Sequence, residues 1–499
     1  MKLLKLSAVA ALTCALSITA NASENKPKRE LKNNMMVKTN IVPGKVDSLS
    51  EMFSKGIFYG RLRMNSFKWD WKNDDTSATG NKDNKAFGLG GSLRYHSASF
   101  NGVSAGAGLY FTSSPFSSLR QPESELKYAK AGKDTFSRYQ VSQGGAWEYA
   151  VLAEANIQYQ ISKTKAIVGR QIFESFLTKS NDTKMIPNTF EGVVLETKEL
   201  AKTRIRGAYF TAQKLRDHTT FHDVITFKDE AGNSWNNNDD SAAHKGLTYA
   251  NFKAAGKDVN HELIVVDARN KSIDNLKIDV TYGAVPDVVS SLTGEVNYKI
   301  ALGDGYTLTP GVRYMKQFDN GGGEIGGATL KGGLAGQTGA QLGYKDAASL
   351  DSYVWMARLV LKKGPLKAKI GYSAVADEAD IVAPWRGFPT GGYTRAMAQY
   401  NWYANTKTFN IEANYDFDKA GLVPGFSAMA RYAIQNFDEA KQAAGVQADS
   451  KILHMDFREN FGNGLYAKIR VGLVNADDRV NGTEKDSYNE YRFELNYLF

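Results

Sequence analysis

The sequence has one cysteine, few prolines and no long apolar segment beyond its first residues. The cysteine, Cys14, lies inside the N-terminal 22 residues. If these residues are removed during export, the remaining chain has no thiol, which excludes disulfides and thiol chemistry. No later segment contains the roughly 20 predominantly apolar residues that a membrane-spanning helix needs. A membrane protein built from helices is therefore excluded.

The N-terminus has the pattern of a secretory signal peptide. Lys2 and Lys5 precede an apolar stretch at 6–18, and Ala20 and Ala22 form a small-residue cleavage site. This predicts a signal peptide at 1–22. Lipoprotein processing at Cys14 is the alternative, but Thr13 fits that pattern poorly. Residues 23–54, rich in Lys and Asn, are expected to form a flexible periplasmic lead, too short for a folded plug.

The charge distribution argues against a nucleic-acid partner. The chain has 62 Lys and Arg and 53 Asp and Glu, a net charge of +9, which becomes +7 without Lys2 and Lys5. Acidic and basic residues are interleaved along the whole length, whereas a nucleic-acid binder concentrates its basic residues in clusters.

From about residue 55 to residue 499 the chain repeats one pattern. About ten residues alternate strictly between apolar and polar, and a polar connection rich in Gly, Asn and Asp follows. In the segments 147–159 and 491–499 the apolar face carries aromatic residues near its ends. Strands of a soluble sandwich also alternate, but they are usually about 5 or 6 residues long and have no reason to carry terminal aromatics. The pattern predicts an all-β fold, a transmembrane antiparallel β-barrel whose last strand pairs with its first.

The lengths of the connections set the expected number of strands. About twenty segments alternate, and bacterial barrels have an even number of strands with short turns at one end and long loops at the other. Two weak segments, 392–402 and one within 246–268, are expected not to span, and 377–405 then becomes one long loop over the mouth. This predicts 18 strands, with 20 as the alternative. Other long loops are expected near 70–84, 113–144, 172–188, 213–245, 319–349, 438–448 and 476–487.

The segment at 169–192, GRQIFESFLTKSNDTKMIPNTFEG, carries a more specific signal. It resembles the part of the OprD family of outer-membrane porins in which a Gly-Arg-Gln strand end leads into a loop with Asn-Asp, a basic residue, Pro and Thr-Phe-Glu-Gly. The resemblance covers about residues 55–499. It implies an outer-membrane protein of a Gram-negative bacterium, a monomer or weak trimer of 18-stranded barrels, that takes up small and often carboxylate-bearing nutrients along a row of arginines.

The resemblance also implies that this loop folds inward as the pore constriction. The positions carried over from the motif are Arg170, Asn181, Asp182, Lys184 and Glu191. Lys184 departs from the family, in which Arg is common. A lysine attracts a carboxylate but lacks the two-pronged hydrogen-bonding geometry of arginine.

Strand parity independently predicts a set of basic side chains on the wall of the lumen. They share a strand face with polar residues and alternate with apolar ones, and they are Arg61, Arg63, Arg94, Arg204, Arg206, Arg313, Arg358, Arg431, Arg458 and Arg470. Lys367, Lys369 and Arg492 follow the same parity. One interpretation is that they hold anions, as rings of Arg or Lys do in anion pores. The other is that each pairs with a lumen carboxylate such as Glu295, Glu412 or Asp456.

Signals of catalysis or of a cofactor are weak. His218 and His222 are four residues apart, but their polar surroundings favour a loop, and a third metal ligand is not evident. The glycine-rich stretch at 321–326 lacks the helix of a dinucleotide site. We therefore expect no metal, no cofactor and no catalytic residue. A hydrolase with His454 and Asp456 at the barrel rim is the enzymatic alternative.

The sequence thus favours a porin whose partners are small solutes, outer-membrane lipid and lipopolysaccharide. It leaves the preference for anions or cations open, so a general cation-preferring porin stays an alternative.

Overall fold

The computed structural model describes residues 29–74, 81–129, 134–227, 246–328, 342–397 and 400–499. The predicted signal peptide at 1–22 and residues 23–28 of the lead lie outside these ranges. Within them, no helix is both long enough and apolar enough to cross a membrane.

Eighteen antiparallel strands form one closed barrel, as predicted. Each pairs with its neighbours in chain order. The strands are β1 (Ile57–Trp71), β2 (Asn84–His96), β3 (Val103–Ser113), β4 (Glu148–Ile161), β5 (Thr164–Gln171), β6 (Thr189–Thr197), β7 (Thr203–Lys214), β8 (Leu263–Asn270), β9 (Leu276–Val285), β10 (Val289–Tyr298), β11 (Tyr306–Asp319), β12 (Ser352–Lys363), β13 (Leu366–Val375), β14 (Lys407–Asp416), β15 (Phe426–Asn436), β16 (Ser450–Gly462), β17 (Leu465–Ala476) and β18 (Tyr488–Leu498).

The alternation separates two environments in most strands. In β14, Phe409 and Ile411 are 44% and 50% exposed, whereas Asn410 and Glu412, which alternate with them, are buried inside the barrel. Apolar side chains face outward because the hydrocarbon of the membrane surrounds them there, and polar side chains line the lumen. The barrel closes because an open sheet edge in lipid would leave backbone N–H and C=O groups without partners.

Strand β4 departs from this alternation. Its pairing with β3 shifts at Ala153, so Tyr149 and Val151 are buried inside the barrel. The single outward apolar face expected for 147–159 was therefore wrong for its first half.

The last strand closes the barrel against the first. Leu495 of β18 lies opposite Met64 of β1, and the remaining register follows from that pairing. Beyond it, the Gly60 N–H donates to the Phe499 carbonyl at 3.0 Å, and the Phe499 N–H donates to the Gly60 carbonyl at 3.2 Å. Gly60 has no room for a side chain, since a Cβ would lie 2.0 Å from the Ser92 carbonyl oxygen.

Two weakly alternating segments were predicted not to span the membrane, and the structure agrees for only one of them. The described residues of the first segment, 392–397 and 400–402, lie in the loop between β13 and β14, as expected. The segment within 246–268 was expected not to span, which was wrong for its second half, because β8 begins at Leu263 and pairs with β7 and β9. The first four residues of β8, Leu263 to Val266, are all apolar, so an apolar/polar alternation is present only from Val266 to Arg269. A short helix at Tyr249–Ala254 precedes it, so the apolar periodicity is broken before the strand begins.

The described part of the lead contains regular structure. Strands Arg29–Leu31 and Val37–Thr39 form a hairpin inside the barrel, the pair Lys45–Val46 lies beside Ser99–Phe100, and a helix spans Leu49–Ser54. Further short helices are Arg138–Gly144 and Gly323–Gly326, with 3-10 turns at Ser117–Leu119, Glu123–Tyr128 and Glu439–Lys441. A short strand at Ile300–Gly303 pairs with β11.

Candidate pore constriction and lumen wall

Two long loops fold into the lumen and bind each other. The first, residues 172–188 between β5 and β6, is called the constriction loop. The second, residues 376–397 and 400–406 between β13 and β14, is called the cover loop. The Gly387 N–H donates to the Leu177 carbonyl at 2.7 Å and the Lys179 N–H to the Trp385 carbonyl at 2.9 Å. Thr178 and Arg386 complete an antiparallel bridge, so backbone hydrogen bonds fix the relative position of the loops.

The constriction loop is tied to the wall through Asp182. Its carboxylate accepts hydrogen bonds from Arg61 and from Arg63, the latter at 2.9 Å, and all three side chains are buried. On the other side of the loop, Arg216 donates to the Asn181 carbonyl at 3.3 Å and pairs with Asp134. The predicted residues Asn181 and Asp182 are thus in the constriction, but Asp182 holds the loop and is not free for a solute.

Lys184 differs from these anchored groups. Its ammonium lies 4.1 Å from the centroid of the Phe67 ring and lines the lumen cavity. It forms no salt bridge with any carboxylate of the described residues. Burial, followed by the positive charge of Arg492, lowers the pKa of Lys184 below that of an exposed lysine. When it is protonated, the Lys184 ammonium is therefore a positive charge in the constriction that no carboxylate of the described residues pairs with.

The cover loop supplies a second such group. The guanidinium of Arg395 lies 3.4 Å from the centroid of the Phe388 ring, a stacked cation–π contact. It lines the same cavity as Lys184 and, within the described residues, has no salt bridge. An arginine stays protonated at neutral pH, so Arg395 adds a fixed positive charge to the lumen.

The wall arginines are in the lumen, and they are paired. Arg204 and Arg206 share Asp267, and Arg313 and Arg358 share Glu295. The remaining pairs are Arg94 with Glu154, Arg431 with Glu412, and Arg458 and Arg470 with Asp456. The interpretation that these arginines bind lumen carboxylates describes the wall correctly.

Pairing does not cancel the positive charge, because some of the acids each pair with more than one cation. Asp456 lies within 3.5 Å of cationic nitrogens of Arg458, Lys468 and Arg470. Glu412 contacts both Lys369 at 2.8 Å and Arg431. The wall from β12 to β18 therefore keeps a positive excess.

The constriction and this wall enclose a cavity of about 1000 Å³. Among the described residues, eleven Lys and Arg line it against five Asp and Glu. The basic residues are Lys184, Arg216, Arg358, Lys362, Lys367, Lys369, Arg395, Arg431, Arg458, Arg470 and Arg492; the acidic residues are Asp134, Glu412, Asp456, Asp486 and Glu490. A solute in the cavity meets a positively charged surface, which favours anions.

Two residues carried over from the motif are not in the constriction. Arg170 and Glu191 lie opposite each other on β5 and β6 and form a salt bridge at 2.8 Å. They share a strand face with Val168 and Val193, which are 55% and 44% exposed on the outside of the barrel. Their expected role as constriction residues was wrong, because the alternation of β5 and β6 turns both side chains to the outer face of the barrel.

Arg216 and Arg395 also line the cavity, and neither was predicted from the sequence as a site residue. Both lie in loops, where no periodicity indicates the direction of a side chain, and the sequence held no signal for either.

The histidine pair does not form a metal site in the described structure. Nδ1 of His218 and Nε2 of His222 are 2.5 Å apart, and His218 is buried. No group of three or more His, Cys, Asp or Glu side chains in the described ranges is arranged to hold a metal ion.

A family model decides where the chain belongs. The model of the outer membrane porin, OprD family, matches residues 129–499, which include both inward loops and most of the barrel. The chain belongs to the OprD family. As an OprD-family porin it is an outer-membrane channel of a Gram-negative bacterium and not an enzyme.

Solved structures share the fold of this OprD-family porin. Acinetobacter baumannii OccAB3 matches with a TM-score of 0.66 and 16% identity, over 89% of this chain and 99% of that one. Pseudomonas aeruginosa OpdK, solved with vanillate, matches with 0.65 and 14%, over 90% and 99%. Pseudomonas aeruginosa OpdQ gives 0.63 and 16%, over the same shares. A comparison with curated protein sequences gave no match.

Proposed function

We propose that this porin is a substrate-selective diffusion channel for small anions, above all solutes with a carboxylate. The observation that carries the proposal is the pair Lys184 and Arg395. These cations line one cavity from two different loops, and neither forms a salt bridge with a carboxylate of the described residues. A carboxylate passing the constriction can pair with them without displacing an internal acid.

The remaining wall supports transfer along the pore. Lys369 and Arg431 share the carboxylate of Glu412, and Arg458 and Arg470 share that of Asp456. A solute carboxylate therefore competes there with one internal acid for two cations. Its binding is then weak, as conduction requires, because a solute must leave as well as enter. OpdK, one of the porins with this fold, was solved with the carboxylate vanillate.

The channel performs no chemistry in this proposal. Selection comes from the size of the opening between the constriction loop and the cover loop and from the charge around it. A carboxylate gains two charge-assisted hydrogen-bond donors in the constriction. A cation there meets Lys184 and Arg395, neither of which forms a salt bridge with a carboxylate of the described residues.

The test is the reversal potential of single channels in a planar bilayer under a salt gradient, at pH 6 and low ionic strength. We expect anion preference in the wild type, and we expect millimolar benzoate to reduce the chloride current. In K184Q and R395Q the anion-to-cation permeability ratio should fall by at least about twofold each.

R170Q is the matched control. It also removes one positive charge near the constriction loop, but Arg170 lies on the outward face and pairs with Glu191. Its reversal potential should equal that of the wild type. Cation preference in the wild type, or equal effects of K184Q and R170Q, would overturn the proposal and favour a general cation-preferring porin.

A further inference from the structure

The N-terminal hairpin lies inside the lumen, where it meets both the constriction loop and the wall. Its strands are Arg29–Leu31 and Val37–Thr39, and residues 32–36 form the tip. The side chain of Asn34 donates to the Glu174 carboxylate of the constriction loop at 2.8 Å. Asn33, also in the tip, lines the same cavity as Lys184.

The hairpin is anchored by apolar packing as well. Met35 and Val37 are buried, and Val37 packs in one cluster with Tyr59 of β1 and Leu498 of β18. Both strands belong to the closing seam of the barrel. The hairpin is therefore seated on the inner wall and does not extend freely from the barrel end.

Three wall arginines donate hydrogen bonds to oxygen atoms of this hairpin. Arg61 donates to the Met35 carbonyl, Arg94 to the Val37 carbonyl at 3.3 Å, and Arg458 to the Asn33 side-chain oxygen. These oxygens occupy positions that an oxygen of a permeating carboxylate would otherwise take. The hairpin thus provides hydrogen-bond acceptors for three arginines of the lumen wall.

We infer that residues 29–39 are a selectivity element of the pore. The hairpin narrows the lumen beside the constriction loop and occupies donors of Arg61, Arg94 and Arg458, so that a solute is directed to Lys184, Arg395 and the wall from β12 to β15. The inference rests on the channel function proposed above, and it adds that a segment outside the barrel strands sets the width and charge of the path.

The first test is deletion of residues 29–39 alone, with residues 1–28 and 40–499 kept, followed by single-channel recording. Without the hairpin the lumen is wider and three arginines regain free donors. We expect the conductance to rise by at least about twofold and the anion preference to increase. A conductance and a reversal potential equal to those of the wild type would overturn the inference.

The second test does not depend on the deletion variant folding. Asn33 lines the cavity, so N33D adds a negative charge to the path and N33K a positive one. The reversal potential should move toward cations in N33D and toward anions in N33K. V42D is the control, because Val42 is 85% exposed and lies outside the hairpin; its shift should be smaller than that of N33D. Equal shifts in V42D and N33D, or none in N33D and N33K, would overturn the inference.

The two proposals can fail separately. If the wild type prefers cations but the deletion raises conductance, the anion proposal fails and the hairpin still sets the width of the pore. If the wild type prefers anions and the deletion leaves conductance and reversal potential unchanged, only the inference about the hairpin fails.

Discussion

Arg63 of the first barrel strand donates a hydrogen bond of 2.9 Å to the carboxylate of Asp182 in the constriction loop. Arg61 binds the other oxygen of the same carboxylate. One loop residue thus joins the loop to the strand at which the barrel closes, and the anchor lies more than one hundred positions away in sequence.

We predict that D182N loosens the constriction loop. The variant loses the charge that holds Arg61 and Arg63, and breaking a buried ion pair costs about 3 kcal/mol or more. The midpoint of heat-induced loss of the folded band on a gel should fall, and single-channel current should become noisier. E191Q, which breaks the outward pair with Arg170, should change neither. A D182N channel as quiet and as heat-resistant as the wild type would contradict this anchoring role.

We predict that anion preference depends on pH through Lys184. Burial lowers the pKa of this lysine, so as pH rises its positive charge is lost earlier than that of an exposed lysine. The anion-to-cation permeability ratio should decline as pH is raised from 6 to 10. In K184R the decline should be much weaker, since arginine keeps its proton throughout this range. Reversal potentials measured at each pH test this, and parallel curves for the two proteins would contradict it.

We predict that E412Q strengthens anion preference. Glu412 accepts hydrogen bonds from Lys369 at 2.8 Å and from Arg431, and its neutralisation leaves both cations available to a solute. The permeability ratio should rise by at least about twofold and the inhibition of current by benzoate should become stronger. The same recordings on E191Q should match the wild type. If E412Q leaves benzoate inhibition unchanged, paired wall cations do not contribute to solute binding.

We predict that G387A separates the two inward loops. A Cβ on Gly387 would lie 2.2 Å from the carbonyl oxygen of Leu177, so the backbone must move. Such overpacking costs about 1–3 kcal/mol. Conductance should fluctuate more, and discrimination between benzoate and chloride should weaken. G144A is the control, because a Cβ there meets no atom within 4 Å. Identical recordings from both variants would refute the loop contact.

The strands could be predicted from sequence because water and lipid impose opposite requirements on alternate residues. The sequence of β14 shows this directly, with Phe409 and Ile411 outward and Asn410 and Glu412 inward. The same parity places Arg170 beside Val168 on the outer face, so the information that corrects the motif was present. The short β8 was harder to predict, because its first four residues are all apolar and only Val266–Arg269 alternate.

Contacts between segments distant in sequence could not be predicted. Arg395 lies in a loop without periodicity, and its approach to the cavity depends on the pairing of Gly387 with Leu177. The hairpin tip, KNNMM at 32–36, has the composition of a linker. Its place in the lumen depends on Arg61, Arg94 and Arg458, on three different strands.

The bridge between Thr178 and Arg386 has a mechanical consequence. The constriction loop leaves the barrel between β5 and β6, and the cover loop leaves it between β13 and β14, eight strands further around a circumference of eighteen. Nearly opposite sides of the barrel are thus connected through its interior by hydrogen bonds between the backbones of the two loops. Lateral pressure from the bilayer that would flatten the barrel must first break these hydrogen bonds, so they help the pore to keep its cross-section when the surrounding membrane changes.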